Sequence, residues 1–242
     1  SMDIRGNFTY TQNRYENLDE PVYPYNWQIS TGHSLAASYG YIAEGLFQSQ
    51  EEIDNSPVQN LGSTPQPGDI KYRDLNGDGV IDSYDSSLIS EYGSTPRIQY
   101  GIGVNLKYKN FDLGVFFNGS AMRKISVKDI HPFGEGDRNI FQFIADDYWT
   151  EANPNPDAKY PRLGLTNGSV ANNQQTSTYW MRNGNFVRFK TLEVGYRFKY
   201  GRIYLNGDNI AIFSPFKEWD PELEWYKYPL QRTFNIGLQL NF

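Results

Sequence analysis

The sequence predicts an all-β protein: an antiparallel transmembrane β-barrel segment of about six long strands, with short turns and long loops between them. Three observations carry this prediction. The clearest strand candidates alternate strictly between apolar and polar residues, which gives an extended chain one greasy face and one wet face. Tyr, Phe, Gly and Asn, which favour strands and turns over helices, are abundant, and aromatics make up 16% of the chain. No apolar run approaches the roughly 18 residues that mark a membrane helix, whereas a spanning strand needs only about 9–11.

The first strand is read at Ile4 to Gln12, "IRGNFTYTQ". The clearest is "IQYGIGVNLKY", where Ile98, Tyr100, Ile102, Val104, Leu106 and Tyr108 alternate with Gln99, Gly101, Gly103, Asn105 and Lys107. After Lys109-Asn110 comes "FDLGVFFNGSA", with Phe111, Leu113, Val115 and Phe117 on one face. In "NFVRFKTLEVGYRF" the second half alternates through Leu192, Val194, Tyr196 and Phe198, while Phe186 and Val187 are adjacent and both apolar. "RIYLNGDNIAIF" follows a link at Lys199–Gly201. The last strand, "RTFNIGLQLNF", puts Phe234, Ile236, Leu238, Leu240 and Phe242 on one side and Thr233, Asn235, Gly237, Gln239 and Asn241 on the other.

The connections alternate between short and long: two turns of two or three residues, and loops at about 13–97, 122–184 and 213–230. Long loops are uncommon in compact domains, but short periplasmic turns and long external loops are the rule in outer-membrane barrels. A β-sandwich would also bury one face and wet the other, and from the residues alone it remains the rival. Strand length, a Gly, Asn, Gln and Lys face suited to a wet lumen, and aromatics at strand ends favour the barrel.

"DLNGDGVIDSYD" has the spacing of a calcium loop. Asp74, Asn76 and Asp78 take positions 1, 3 and 5, Val80 offers its carbonyl at 7, and Asp82 and Asp85 stand at 9 and 12. A hard cation needs six to eight oxygens, and this spacing wraps them about one point; Gly79 supplies the sharp turn at position 6. The last ligand is Asp rather than Glu, which points to a weaker site, and Ile81 is placed to anchor the loop in a core. The expected role of calcium is structural; the competing reading is a metal-free chain of Asx-turns. "SSLISEY" after it reads as a short helix, and "QSQEEIDNSP" as a short capped one.

Little else suggests chemistry. A net charge of −6 argues against nucleic acid, whose phosphates require a basic surface. The absence of Cys excludes disulfides and thiolate sites. His33 and His131 lie far apart in loops, and Asp146, Asp147 and the carboxylates of "EWDPELE" read as solvated loop charges, so no enzymatic activity is expected. Trp27, Trp149, Trp180, Trp219 and Trp225 all lie in or beside the long loops. Packing inside folded loops is the reading preferred for them, with stacking on a ligand or partner the alternative. The start, "SMDIRGNFTYT", opens on strand-like sequence and is read as the beginning of a piece of a longer chain.

The stretches "GNFTYTQNRYE", "YGYIAEGLFQSQEEIDNSP", "PGDIKYRDLNGDGVIDSYD", "YGIGVNLKYKNFDLGVFFNGS", "DYWTEANPNPDAKYPRL", "NGNFVRFKTLEVGY" and "RIYLNGDNIAIFSPFKEWDPE", with the final strand, span nearly the whole chain. In this order they closely resemble the C-terminal part of the SusC/RagA-type TonB-linked outer-membrane proteins. The resemblance implies a plugged barrel of about 22 strands. It also implies import of glycans or peptides, a SusD-like surface lipoprotein as partner, and TonB acting through an N-terminal part that this chain lacks. An aromatic C-terminus in that family carries the barrel sorting signal, which would fall on the Phe234–Phe242 strand. On that reading the loops face outward, the C-terminus is periplasmic and the apolar faces meet outer-membrane lipid. The alternative is a soluble, calcium-stabilised, β-rich module that binds glycans at the surface.

Overall fold

The computed structural model describes residues 1–134, 136, 139–223 and 225–241. Six strands form one antiparallel sheet in which each pairs with its neighbour in sequence. They are β1 (Met2–Tyr10), β2 (Ile98–Tyr108), β3 (Phe111–Ala121), β4 (Phe186–Phe198), β5 (Gly201–Phe213) and β6 (Thr233–Leu240). Register follows the sequence pattern. Leu106, Leu113, Val194, Leu205 and Ile236 lie directly across from one another, and so do Tyr108, Phe111, Tyr196, Ile203 and Leu238. A one-residue slip of any strand would move its apolar set to the other face, so these rows hold the register.

This apolar face is exposed rather than stacked on a second sheet: Phe8 is 68% and Ile236 79% exposed. That arrangement excludes the sandwich, whose greasy faces must bury each other. Phe234, Leu238 and Leu240 share the exposed face with Ile236, while Phe242 lies outside the described residues.

Several boundaries differ from the sequence reading. β1 runs Met2–Tyr10 because its ladder spans Met2↔Leu106 to Tyr10↔Ile98; beyond it Thr11 N donates to Arg97 O, leaving Gln12 outside the strand. The irregular first half of β4 is a bulge. The register shifts between Phe189 and Thr191, so Val187 and Phe189 share a face with Leu192 and Val194 despite the change of parity. Phe189 then stacks on Phe117, with centroids 4.6 Å apart. The link between β4 and β5 is Lys199-Tyr200, since Gly201 already pairs with Phe198. "SSLISEY" is not helical: Ser87–Ser90 is a short strand paired with Ser38–Gly40. The capped helix is found at Gln50–Asp54, where Ser49 Oγ accepts from Glu52 N at 3.2 Å.

Stretches 13–93 and 125–182 fold together as a second compact unit. Its core includes Phe47, Ile70, Tyr72, Ile144, Val170 and Trp180. The strand Ile70–Tyr72 pairs with Ala43–Leu46 on one side only. Side-chain amides serve its other edge: Ile70 N donates to Asn173 Oδ1 at 2.8 Å and Tyr72 N to Gln59 Oε1 at 2.6 Å. Gln59 Nε2 donates to Asn172 Oδ1 at 2.7 Å, tying the two stretches through buried groups, since buried backbone polar groups must find partners.

Candidate functional site

The opposite face of the sheet is predominantly polar. Alternation places Asp3, Arg5, Asn7, Gln99, Asn105, Asp112, Asn118, Arg188, Glu193, Arg202, Asn206 and Asn235 there, on rows that face one another across the ladders. Near the short turns, Arg202 Nε donates to Asp112 Oδ2 at 3.1 Å and its Nη2 to Glu193 Oε1 at 2.6 Å and to Asp112 Oδ1. The same guanidinium lies 4.9 Å from the centroid of the Tyr204 ring. That ring lies over Gly237, where a Cβ would stand 2.1 Å from Tyr204 Cζ, so the close approach requires glycine. A cavity of about 1090 Å³ opens along this face.

At the other end of the strands the connection after β5 folds back against the wall. Phe216 is buried and meets Trp219 edge-on at 4.6 Å. Arg188, 3% exposed, holds the connection. Its Nη2 reaches Asp220 Oδ1 and Oδ2 at 2.6 and 2.7 Å, and its Nε donates to Glu222 Oε2 at 3.0 Å. Arg123 Nη1 donates to Pro221 O between them. Asp220 is therefore a clamp residue rather than a solvated charge, a correction to the sequence reading, while Glu222 joins the clamp from an exposed position. The signal for the clamp was an Arg at a lumen-type position in β4, but its partners lie more than 30 residues away in a loop. A cavity of about 1060 Å³ lies between this segment and the wall, bounded by Asn7, Gln99, Asn118, Phe186, Glu222 and Tyr228.

The 74–85 loop is closed by its own backbone donors. Asp74 accepts from Gly77 N at 2.7 Å and Gly79 N at 2.9 Å, Asn76 from Asp78 N at 3.0 Å, and Asp78 from Val80 N at 2.8 Å. Asp82 accepts from Tyr84 N at 2.8 Å; buried Asp85 accepts from Leu75 N at 2.7 Å and Asp82 N at 2.9 Å. Gly79 has φ +84°, the left-handed backbone its position requires. Ile81 is buried, and Val80-Ile81 pairs in parallel with Val58-Gln59. Among the described residues no group of three or more His, Cys, Asp or Glu side chains converges into a metal cage. The donor set nonetheless suits a hard cation in kind, because each carboxylate oxygen keeps a lone pair beyond the one it gives the backbone.

Trp149 and Trp180 are buried in the second unit, their Nε1 groups donating to Gln48 Oε1 at 3.1 Å and Asn173 O at 2.9 Å. Trp27 stacks on Tyr25 at 4.5 Å. Trp219 donates to Leu223 O at 3.2 Å, and Trp225 is exposed beside Tyr226. His33 Nδ1 sits 2.5 Å from Glu91 Oε1, and Asp146 accepts from Gln142 at 2.6 Å.

No protein-family model matches the chain. It is 30% identical over 253 aligned residues to TonB-dependent receptor P26 of Formosa agariphila, an overlap covering 93% of this chain and 24% of that protein. It is 26% identical over 267 aligned residues to the TonB-dependent receptor SusC of Bacteroides thetaiotaomicron, covering 100% of this chain and 24% of SusC. In a structure of the RagAB peptide transporter, one chain superposes over 100% of this chain and 27% of its own length, with a TM-score of 0.64 at 19% identity. That likeness concerns the fold alone, here an antiparallel sheet of six strands. The chain spans about a quarter of the length of the curated relatives it matches, at 24% for both P26 and SusC.

Proposed function

We propose that this chain, whose homologues are TonB-dependent receptors, is the C-terminal wall and loop region of a SusC-like outer-membrane importer. Its cargo is glycans or oligopeptides, received with a SusD-like surface lipoprotein, and TonB engages parts of the protein outside these 242 residues. The observation that carries the reading is the exposed apolar face, in register across six strands and backed by a polar face. A soluble protein rarely exposes so large a greasy surface, whereas a barrel wall meets lipid with it. In this reading the short turns are periplasmic and the long connections extracellular. The chemistry of this reading is binding and passage.

Leu238→Arg tests the wall. It is expected to cost about 2–4 kcal/mol if the side chain meets mid-bilayer lipid, read as loss of membrane-inserted, folded protein. An Arg accepted there without loss, or extraction of the natural protein by high salt without detergent, would overturn the reading. Uptake in intact cells, abolished by a protonophore, tests the import itself.

We further propose that the 74–85 loop binds calcium as a structural ion through Asp74, Asn76, Asp78, the Val80 carbonyl, Asp82 and Asp85. A ligand at about 100 times its Kd stabilises the folded form by about 2.7 kcal/mol, so millimolar calcium should raise the unfolding temperature of the second unit. Asp78→Ala should abolish the calcium-dependent increment. The same melting curve with calcium and with chelator removes the metal.

A further inference from the structure

We propose that Asn118, Ser120 and Arg123 form a ligand-reading subsite for a neutral oligosaccharide, guarded by the latch that Asp220–Glu222 makes with Arg188. Among the described residues of the six-stranded unit, three buried side-chain polar atoms have no hydrogen-bond partner: Asn118 Oδ1, Ser120 Oγ and Arg123 Nε. All three residues line the same cavity of about 1060 Å³. Native proteins leave few buried polar groups unpaired, because each such group is destabilising. Three in one place, beside a polar latch, mark a state that a ligand improves.

The position explains the cluster. Asn118 and Ser120 alternate onto the polar face of β3, with Asn118 opposite Arg188 and Ser120 opposite Phe186 on β4. Ser120 is 5% exposed. Arg123 follows β3 and touches the latch itself, donating to Pro221 O. While the latch is closed these atoms are shielded. Release of Asp220 and Glu222 from Arg188 would uncover these atoms within the cavity that their residues already line.

Their chemistry selects the ligand. Asn118 Oδ1 only accepts, Arg123 Nε only donates, and Ser120 Oγ does both. An anion accepts and cannot serve Asn118; an ammonium donates and cannot serve Arg123. Neighbouring hydroxyls on a sugar ring donate and accept together, and the cavity's Tyr100, Phe186 and Tyr228 supply faces for the ring's apolar side. A peptide would more readily pair along a free strand edge, but β3 is paired on both sides, to β2 and β4. The subsite rests on the import reading and names the class of cargo.

The test uses the full-length protein in detergent, titrated by calorimetry with neutral hexaoses of α-1,4-glucose, β-1,4-xylose and β-1,3-glucose. At least one should bind, and Ser120→Ala and Asn118→Ala should each weaken it about tenfold. Ser120→Ala removes an atom that has no partner, so it should leave the unfolding temperature unchanged or raise it while affinity falls. A purely structural serine would show the opposite. Binding of none of the hexaoses, or equal affinity in both variants, overturns the subsite. Protonophore-sensitive uptake of peptides without any saccharide binding overturns the subsite while leaving import standing, and loss of all energised uptake overturns import itself.

Discussion

Replacing Arg188 with alanine is expected to cost about 3–5 kcal/mol and to free the connection after β5 from the wall. The magnitude follows from what is left behind. Arg188 is 3% exposed, and the Asp220 side chain it neutralises is 13% exposed, so the variant strands a carboxylate with little water to replace its partner. Glu222, with a side chain 36% exposed, recovers solvent and adds less. Nearby Arg123 moderates the loss without replacing it: burial pulls its guanidinium below the usual range, while Glu222 and Asp220 push it back up. Trypsin sites at Lys217 and Lys227 flank the latch, so limited proteolysis of the full-length protein in detergent reads its release directly. Cleavage at the wild-type rate in Arg188→Ala would mean that the clamp does not hold the segment.

The sheet was legible because its physics is local. A period of two fixes which side chains share a face, and the rows through Leu106 and Tyr108 needed no knowledge of distant residues beyond that period. The bulge between Phe189 and Thr191 left only an indirect trace, the adjacent apolar pair Phe186 and Val187, because its position is set in the ladder. The clamp was not legible. A strand arginine can point at any acid in a long loop, and Asp220 looked like the other surface carboxylates around it. The second unit was hidden for a related reason. Strands such as Ile70–Tyr72 are too short to show periodicity, and the free edge of that strand is completed by Gln59 and by Asn172 and Asn173, the last two more than 100 residues from Ile70 in sequence. The error at "SSLISEY" has the same origin: Leu88 and Ile89 satisfy either period over four residues, and pairing with Ser38–Gly40 decides for the strand. In the 74–85 loop the spacing was readable, while the backbone donors that occupy Asp85 emerge only from the folded path.

Asp69→Ala is expected to destabilise the second unit by a comparable amount, about 3–5 kcal/mol, by removing one partner of a buried ion pair. Asp69 is fully buried, its Oδ1 2.7 Å from Arg162 Nε and its Oδ2 accepting from Arg162 Nη2 at 3.1 Å. It also accepts from Gln66 N at 2.9 Å and from Asn173 Nδ2 at 2.8 Å. The variant therefore leaves a guanidinium, a backbone amide and a side-chain amide short of an acceptor. Burial pushes the Asp69 carboxyl above its usual range despite the opposing pull of Arg162, so desolvation weighs heavily against the pair. The corollary is that Asp69→Leu with Arg162→Met should regain most of the loss, less the bond from Arg162 Nη2 to Ser169 O at 2.7 Å. Hydrogen exchange gives the local readout. Asn173 bridges Asp69 and Ile70 N, so Asp69→Ala should expose the Ile70 amide and, through Gln59 and Asn172, the Tyr72 amide. Wild-type protection at both amides in Asp69→Ala would show that the pair does not organise the strand edge, and that the amide ladder stands without it.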